Sequence, residues 1–338
     1  MIDLLVAGGG PAGLATAIFG ARAGLEVVVV ERRHGPVDKA CGEGLMPHAL
    51  AMLQGLGVQA PGKPFHGITY LDGRRRVTGR FRGGAGRGVR RTALQAGLLE
   101  AATAAGVRVV HDDIGPVSQD ATSVRCSGFQ ARYLAAADGL HSPIRASLGL
   151  AQPSAGPRRW GIRRHHLMTP WSDCVEVYWS DDAEAYVTPV ADDCVGVAIL
   201  TSQRGGFDAH LREFPALQER VHDQAHGPDR AAGPLRQRVR TRTAGRVMLV
   251  GDAAGYVDAL TGEGLGIAFG AAELLVDCVA ADRPQDYDRR WRRMSRRYRL
   301  LTAAVLKASG YSAVRSRVVP AAAALPKVFG VLVNQLAE

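Results

Sequence analysis

The chain is poor in cysteine and has no two cysteines close in sequence. Five of its 338 residues are cysteine (Cys41, Cys126, Cys174, Cys194 and Cys278), without a CxxC spacing. That excludes a zinc knuckle and a secreted disulfide scaffold, so a reduced, cytoplasmic chain is the expectation. There is no long polar tract, so disorder is not expected, and there are no internal repeats. Met1 leads within two residues into the strand-like LLVAG with no basic stretch before it, so no signal peptide is expected. The apolar tail from Val318 to Leu336 is interrupted by Pro320, Pro326 and Lys327, so no spanning helix is expected. The net charge of +10 comes from arginines spread along the chain, and no nucleic-acid motif accompanies it. The expectation is an attraction for anionic cofactors, acidic lipids or acyl-linked substrates and no nucleic-acid partner. His165-His166 has no third ligand at metal spacing and reads as a surface or pocket-rim pair, so no metal is expected.

What is present is a pattern of short apolar strands around glycine turns. Leu4 to Val6 and Glu26 to Glu31 flank a helix predicted from about Pro11 to Ala23, the opening βαβ unit of a parallel α/β sheet. Between them lies GGGPAG, with Gly8, Gly10 and Gly13 in the three positions of GxGxxG. Gly8 permits the tight turn, Gly10 lets backbone approach a pyrophosphate, and Gly13 lets helix pack on strand. Pro11 and Ala12 open the helix whose N-terminal amides would bind phosphate. Glu31 and Arg32 close the second strand, where a carboxylate accepts ribose hydroxyl bonds.

Further on, a helix is predicted to resume at Pro47. GITYLDGRRRVTGRF (67–81) alternates around an Asp-Gly turn as a hairpin. RRTALQAGLLEAATAAG (90–106) reads as a helix closed by Gly106, with Arg91 in its first turn and Gln95 one turn later. Tyr133 to Ala137 is a strand ending at Asp138-Gly139. CVEVYWS, EAYVTPV and CVGVAIL, between about 160 and 201, form a separate strand-rich region, and 207–234 reads as helical and polar. VMLVG at 247 returns to the parallel style. The expected organisation is therefore a discontinuous nucleotide-binding domain (1–66, 87–150 and 240–281), an inserted substrate lobe (67–86 and 151–239) and a C-terminal helical segment (282–338).

AAADGLHSPIR (135–145) and LVGDAAGYVDALTGEGLG (249–266), together with the N-terminal fingerprint and RTALQ, resemble the p-hydroxybenzoate-hydroxylase-like flavoprotein superfamily in the family's own order. That superfamily includes aromatic monooxygenases, flavin halogenases and geranylgeranyl reductases. The resemblance implies an α/β, Rossmann-type (GR2-like) FAD-binding domain with an inserted antiparallel β-rich lobe and C-terminal helices. It implies FAD contacts from Asp138 and Gly139, from Gly251 and Asp252 at the ribityl chain or a phosphate-bridging water, and from Gly262, Glu263, Gly264 and Leu265. There a helix N-terminus would face the flavin pyrimidine edge, and a helix dipole stabilises an anionic reduced flavin. Where the family usually has proline, Ala259 follows Asp258, which leaves the rigidity of that loop open.

KACGEGLMPHAL (39–50) looks most like the geranylgeranyl-reductase branch, placing Cys41 near the isoalloxazine. There it is either a proton donor to a reduced alkene or a small packed residue. That branch tends to carry YxWxFP over the flavin. This chain keeps Tyr186 and Pro189 without the tryptophan and phenylalanine, and it lacks the halogenase WxWxIP context. Cys41 and Tyr186 are thus the candidate catalytic residues. A single dinucleotide fingerprint implies that NAD(P)H visits transiently or that electrons come from a partner. YDRRWRRMSRRYRLLTAAVLK (287–307) is a basic amphipathic helix, with seven arginines from Arg289 to Arg299. It either packs its aromatic face on the body or docks to an anionic membrane or carrier protein. The resemblance implies an FAD-dependent oxidoreductase. The first expectation is hydroxylation of a lipophilic aromatic or polyketide-like substrate through a flavin C4a-hydroperoxide. The second is reduction of a carbon-carbon double bond in a prenyl chain or quinone tail, and a third is flavin binding without catalysis.

Overall fold

The computed structural model describes residues 1–154, 158–309 and 312–337. The strand Ile2–Ala7 lies between Val27–Val30 and Phe129–Ala136, with Arg108–Val110 and Val247–Leu249 outside them, all parallel. Four consecutive valines at 27–30 are buried, as a strand covered on both faces requires. The helix Pro11–Arg22 starts with proline in its first turn and buries Leu14 and Ile18, one turn apart. It packs against the helices Arg91–Ala104 and Gly264–Ala280. Each such buried aliphatic side chain contributes about 2 kcal/mol relative to exposure.

This topology gathers the motifs. Gly8–Gly10 follow the carboxyl end of the first strand, Glu31 the second, Asp138 the strand ending at Ala136, and Gly251 the strand ending at Leu249. Ligands of open parallel sheets bind in the crevice at these ends.

A second sheet of seven strands runs in the order Arg230–Ala232, Trp160–Leu167, Cys194–Thr201, Ala183–Ala191, Val175–Trp179, Gly67–Leu71, Arg76–Arg80. The early hairpin joins it through parallel pairing of Gly67–Leu71 with Val175–Trp179. The three β-prone runs are its central strands, and Trp160–Leu167 is a fourth, running alongside Cys194–Thr201.

Three expectations need correction. His165 and His166 are not a surface or rim pair: both lie on the Trp160–Leu167 strand and are 4% and 1% exposed. The 207–234 segment holds only two short helices, Phe207–Leu211 and Pro215–Val221, before the chain re-enters the sheet at Arg230–Ala232. The basic helix is two helices, Tyr287–Met294 and Arg296–Ser309, broken at Ser295. The Ser295 hydroxyl donates to the Trp291 carbonyl at 2.9 Å, a local bond that competes with helical geometry. Tyr287, Trp291 and Tyr298 are buried, so the aromatic face packs inward while most of the arginines face out.

The C-terminal helices Val318–Ala324 and Pro326–Ala337 meet at 110°. Phe329 and Val333 pack on Val77 of the hairpin, and Val319 and Ala337 join Trp179, Val177 and Leu260 in an apolar cluster. Among the described residues no single helix is long and apolar enough to cross a membrane.

Candidate active site

The glycine turn is built from backbone contacts that admit no side chain. Gly8 has φ +110, and a Cβ on it would sit 2.5 Å from the Ala137 carbonyl oxygen. A Cβ on Gly13 would lie 1.9 Å from the Gly8 carbonyl oxygen. Gly10 differs: a Cβ there would meet only the Arg91 Nη2, at 3.8 Å, so the space above it is open. Pro11 and Ala12 carry the helix start beside it.

Cations converge on that opening. Arg91 is 9% exposed, and its Nη1 is a buried donor with no partner. Burial lowers its pKa, while Cys41, Asp252 and Glu43 favour its charge. The pKa of Lys39 is lowered by burial and by the like charges of Arg33 and Arg91, while Asp252 and Glu31 favour its charge. An orphaned guanidinium donor over an open glycine at a helix N-terminus fits the diphosphate of a dinucleotide.

Around this cradle most of the anticipated residues have defined posts. Glu31 Oε2 accepts from the Gly9 amide at 2.8 Å, and its Oε1 pairs with the Arg33 Nε at 3.0 Å. Arg33, not Arg32, is therefore the basic partner; Arg32 is exposed. Gln95 is a strut, donating to the Gly9 carbonyl at 2.7 Å and accepting from the Val37 amide at 2.8 Å. Asp138 accepts from the Ile144 amide at 3.0 Å through Oδ2, and its Oδ1 is buried without a partner. Burial raises its pKa. Gly139, at φ +89, has the Lys39 ammonium beside it.

Arg145 joins the two later motifs. Its Nη1 donates to the Asp252 and Ala253 carbonyls at 3.3 and 3.2 Å, and its Nη2 to Leu140 and Gln237. Gly251, at φ +63, packs so close to Ala12 that a Cβ would lie 2.6 Å from the alanine Cβ. The Asp252 carboxylate faces Lys39, Arg91 and Arg145, and burial raises its pKa. Gly262, at φ +71, precedes the helix that starts at Gly264, with Glu263 as N-cap and Leu265 in the first turn. Burial lifts the Glu263 pKa to about 7.

The Cys41 loop lies where the two sheets meet. Thr188, on the second sheet, donates to the Gly42 carbonyl at 2.9 Å. Burial and the neighbouring Glu43 carboxylate push the Cys41 thiol up, so it is a neutral S–H. Glu43 is the residue that sequence reasoning missed. It is 3% exposed and held at φ +58, a strained conformation for a non-glycine residue. Its amide donates to the Cys41 Sγ at 3.4 Å, and its Oε1 accepts from the Arg91 amide at 2.8 Å. Its Oε2 lies 2.5 Å from the His165 Nε2. The His165 Nδ1 lies 2.9 Å from the Arg163 Nη1, and Arg163 also pairs with Asp38. Glu43 and His165 therefore form a buried pair at the junction with the second sheet, and Glu43 reaches the Cys41 sulfur through its backbone amide alone. An acid between Cys-Gly and Gly was a visible signal, but nothing local joins position 43 to position 165.

Tyr186 is placed differently from a free catalytic phenol. Its hydroxyl donates to the Leu260 carbonyl at 3.0 Å, and burial holds its pKa well above the usual value. It ties the second sheet to the loop in which Ala259 replaces proline. The same loop receives the Tyr298 hydroxyl on the Asp258 carbonyl at 3.2 Å, and Arg159 lies 3.6 Å from the Asp258 carboxylate. Tyr186, Tyr298 and Arg159 thus hold this loop from three other parts of the chain.

Fold and site together define a flavoprotein of the dinucleotide-binding, two-sheet class. Residues 1–281 match the FAD binding domain family, so the chain belongs to that family and is an FAD-dependent oxidoreductase. It is 30% identical over 331 residues to the menaquinone reductase of Mycobacterium tuberculosis, covering 81% of this chain and 76% of that one. It is 27% identical over 305 residues to digeranylgeranylglycerophospholipid reductase 1 of Methanothermobacter thermautotrophicus, covering 78% and 73%. The solved structure of a triple mutant of the flavin-dependent brominase Bmp2 superposes with a TM-score of 0.83 at 15% identity, over 100% of this chain and 94% of that one. At that identity the likeness concerns the fold alone.

Proposed function

We propose that the protein reduces a carbon-carbon double bond in the prenyl chain of a lipophilic quinone or lipid. The observation that carries this reading is the neutral Cys41 thiol in the loop at the junction of the two sheets. Bound and reduced, FAD supplies a hydride, two electrons with one proton, to one alkene carbon. The second alkene carbon needs a proton, and in this reading the neutral Cys41 thiol gives it. A proton from solvent then returns to the sulfur, so the saturated product gains two hydrogens and the protein regains its starting state. NAD(P)H or a protein donor would restore the two electrons.

The two relatives whose names give menaquinone and digeranylgeranylglycerophospholipid support the reading, because both molecules carry prenyl chains. This departs from hydroxylation, which the altered wall at 186–190 favoured in the sequence. The test is to reduce the holoenzyme anaerobically and mix it with oxygen in a stopped-flow instrument, with substrate bound. Reoxidation without a transient absorbing to the blue of oxidised flavin is expected; a substrate-dependent transient would return the assignment to hydroxylation. The outward-facing arginines between Arg289 and Arg299 would hold the protein at an anionic membrane surface, where a lipophilic substrate resides. Vesicles with and without anionic lipid test that attachment.

A further inference from the structure

The segment RQRVRTR (236–242) sets arginines at alternate positions around the short strand Arg238–Val239. A cavity of about 380 Å³ opens there, lined by Arg236, Arg238, Arg240 and Arg242 from this stretch and by Arg292 and Arg299 from the C-terminal helices. The far wall is the loop 251–257 and the start of the Gly264–Ala280 helix. Asp252 is the one carboxylate in the lining. Asp288 neutralises two of the six guanidiniums, at 2.9 Å from Arg242 and 2.7 Å from Arg292. Among the described residues Arg236, Arg238, Arg240 and Arg299 have no carboxylate partner.

The floor is built. Arg242 is 4% exposed, stacks 3.6 Å above the Trp291 ring and has a buried Nε without a partner. Its pKa falls to about 10 through burial, against the pull of Asp288 and with the push of Arg299 and Arg292. Like charges held this close are relieved by an anion entering between them. Guanidinium forks match phosphate oxygens two at a time. None of Gly10, Arg91 and Lys39 lines this cavity, so it lies apart from the diphosphate cradle above the glycine turn, while Gly251, Asp252 and Gly264 in its far wall are shared with the expected FAD contacts.

We propose that this cavity is a second anion site, which takes the diphosphate group of a ligand other than FAD. A pyridine dinucleotide reductant and a prenyl diphosphate both carry that chemistry. The proposal is independent of which reaction the flavin performs.

The experiment is calorimetric titration of inorganic pyrophosphate into FAD-loaded protein, whose glycine cradle is already filled. Binding is expected, weakened roughly tenfold per guanidinium removed in Arg238→Gln and Arg240→Gln and further in the double variant. Both arginines are exposed, so flavin content and melting temperature should match the parent; Arg299→Gln repeats the test from the opposite wall. Competition then identifies the source. Displacement of pyrophosphate by NADPH or NADH assigns the site to the reductant, and displacement by geranylgeranyl diphosphate assigns it to a phosphorylated substrate. Absence of pyrophosphate binding to the holoenzyme, equal affinity in all three variants, or displacement by neither class of ligand would overturn the proposal.

Discussion

At Gly10 a single side chain decides whether the cradle can hold a diphosphate. The position is open apart from Arg91, so Gly10→Val should fold and lose FAD, which the flavin absorbance of the purified protein reads directly. Stoichiometric yellow protein would contradict the placement. Gly8→Ala is a different experiment. Its Cβ meets the Ala137 carbonyl at φ +110, so it should cost about 2 kcal/mol or more of stability whether or not FAD is bound. At Cys41, serine keeps size and hydrogen bonding while changing acidity. Cys41→Ser should retain flavin and lower turnover by about 100-fold, within the range for a general acid; unchanged kinetics would make Cys41 a packing residue. His166 titrates for reasons of burial. Desolvation and the neighbouring Arg164 and His226 depress its pKa from 6.5 to about 4. The unfolded chain therefore binds the proton more readily between those values. The stabilisation is fully present above pH 6.5 and is lost as pH falls toward 4, by at most about 3 kcal/mol. Melting temperatures across that window should fall less steeply in His166→Gln.

Among the elements, the loop after Asp258 shows what a sequence can and cannot convey. The missing proline at Ala259 was visible, and so was the question it raised about rigidity. The answer lies in Tyr186, Tyr298 and Arg159, which reach the loop from other parts of the chain and leave no local pattern. Tyr186→Phe removes one hydrogen bond of about 1 kcal/mol. It should leave flavin content intact and raise KM more than it lowers kcat, because it loosens the loop after Asp258. An equal loss in kcat alone would make the phenol catalytic. By contrast, the first strand, glycine turn and helix were legible because each depends on neighbours within about thirty residues. The basic helix was legible as to its aromatic face but not its break, since Ser295 acts through a bond to Trp291 that any serine could make or omit.

Over the whole molecule, the parallel sheet was readable because its ligand-facing loops all follow apolar strands. The contact between the two sheets was not, because Glu43 and His165 are 122 positions apart and become partners only once both sheets are folded. The same interface holds Glu184, fully buried between Arg159 and Arg315, the latter 2.7 Å away. That carboxylate links the second sheet to the flavin-side loop and the C-terminal segment. Glu184→Ala strands the buried Arg315 and leaves Arg159 with only the more distant Asp258, and should destabilise the protein by about 3 kcal/mol, read as a large fall in denaturant midpoint. The reading of the molecule as a reductase rests on a proton delivered by Cys41. The most direct measurement is a single turnover of the pre-reduced holoenzyme with menaquinone under strict anaerobiosis, followed by mass analysis of the quinone. The account predicts a product heavier by two hydrogens, formed without oxygen and strongly slowed in Cys41→Ser. No conversion until oxygen is admitted, and then a product heavier by one oxygen atom, would contradict it.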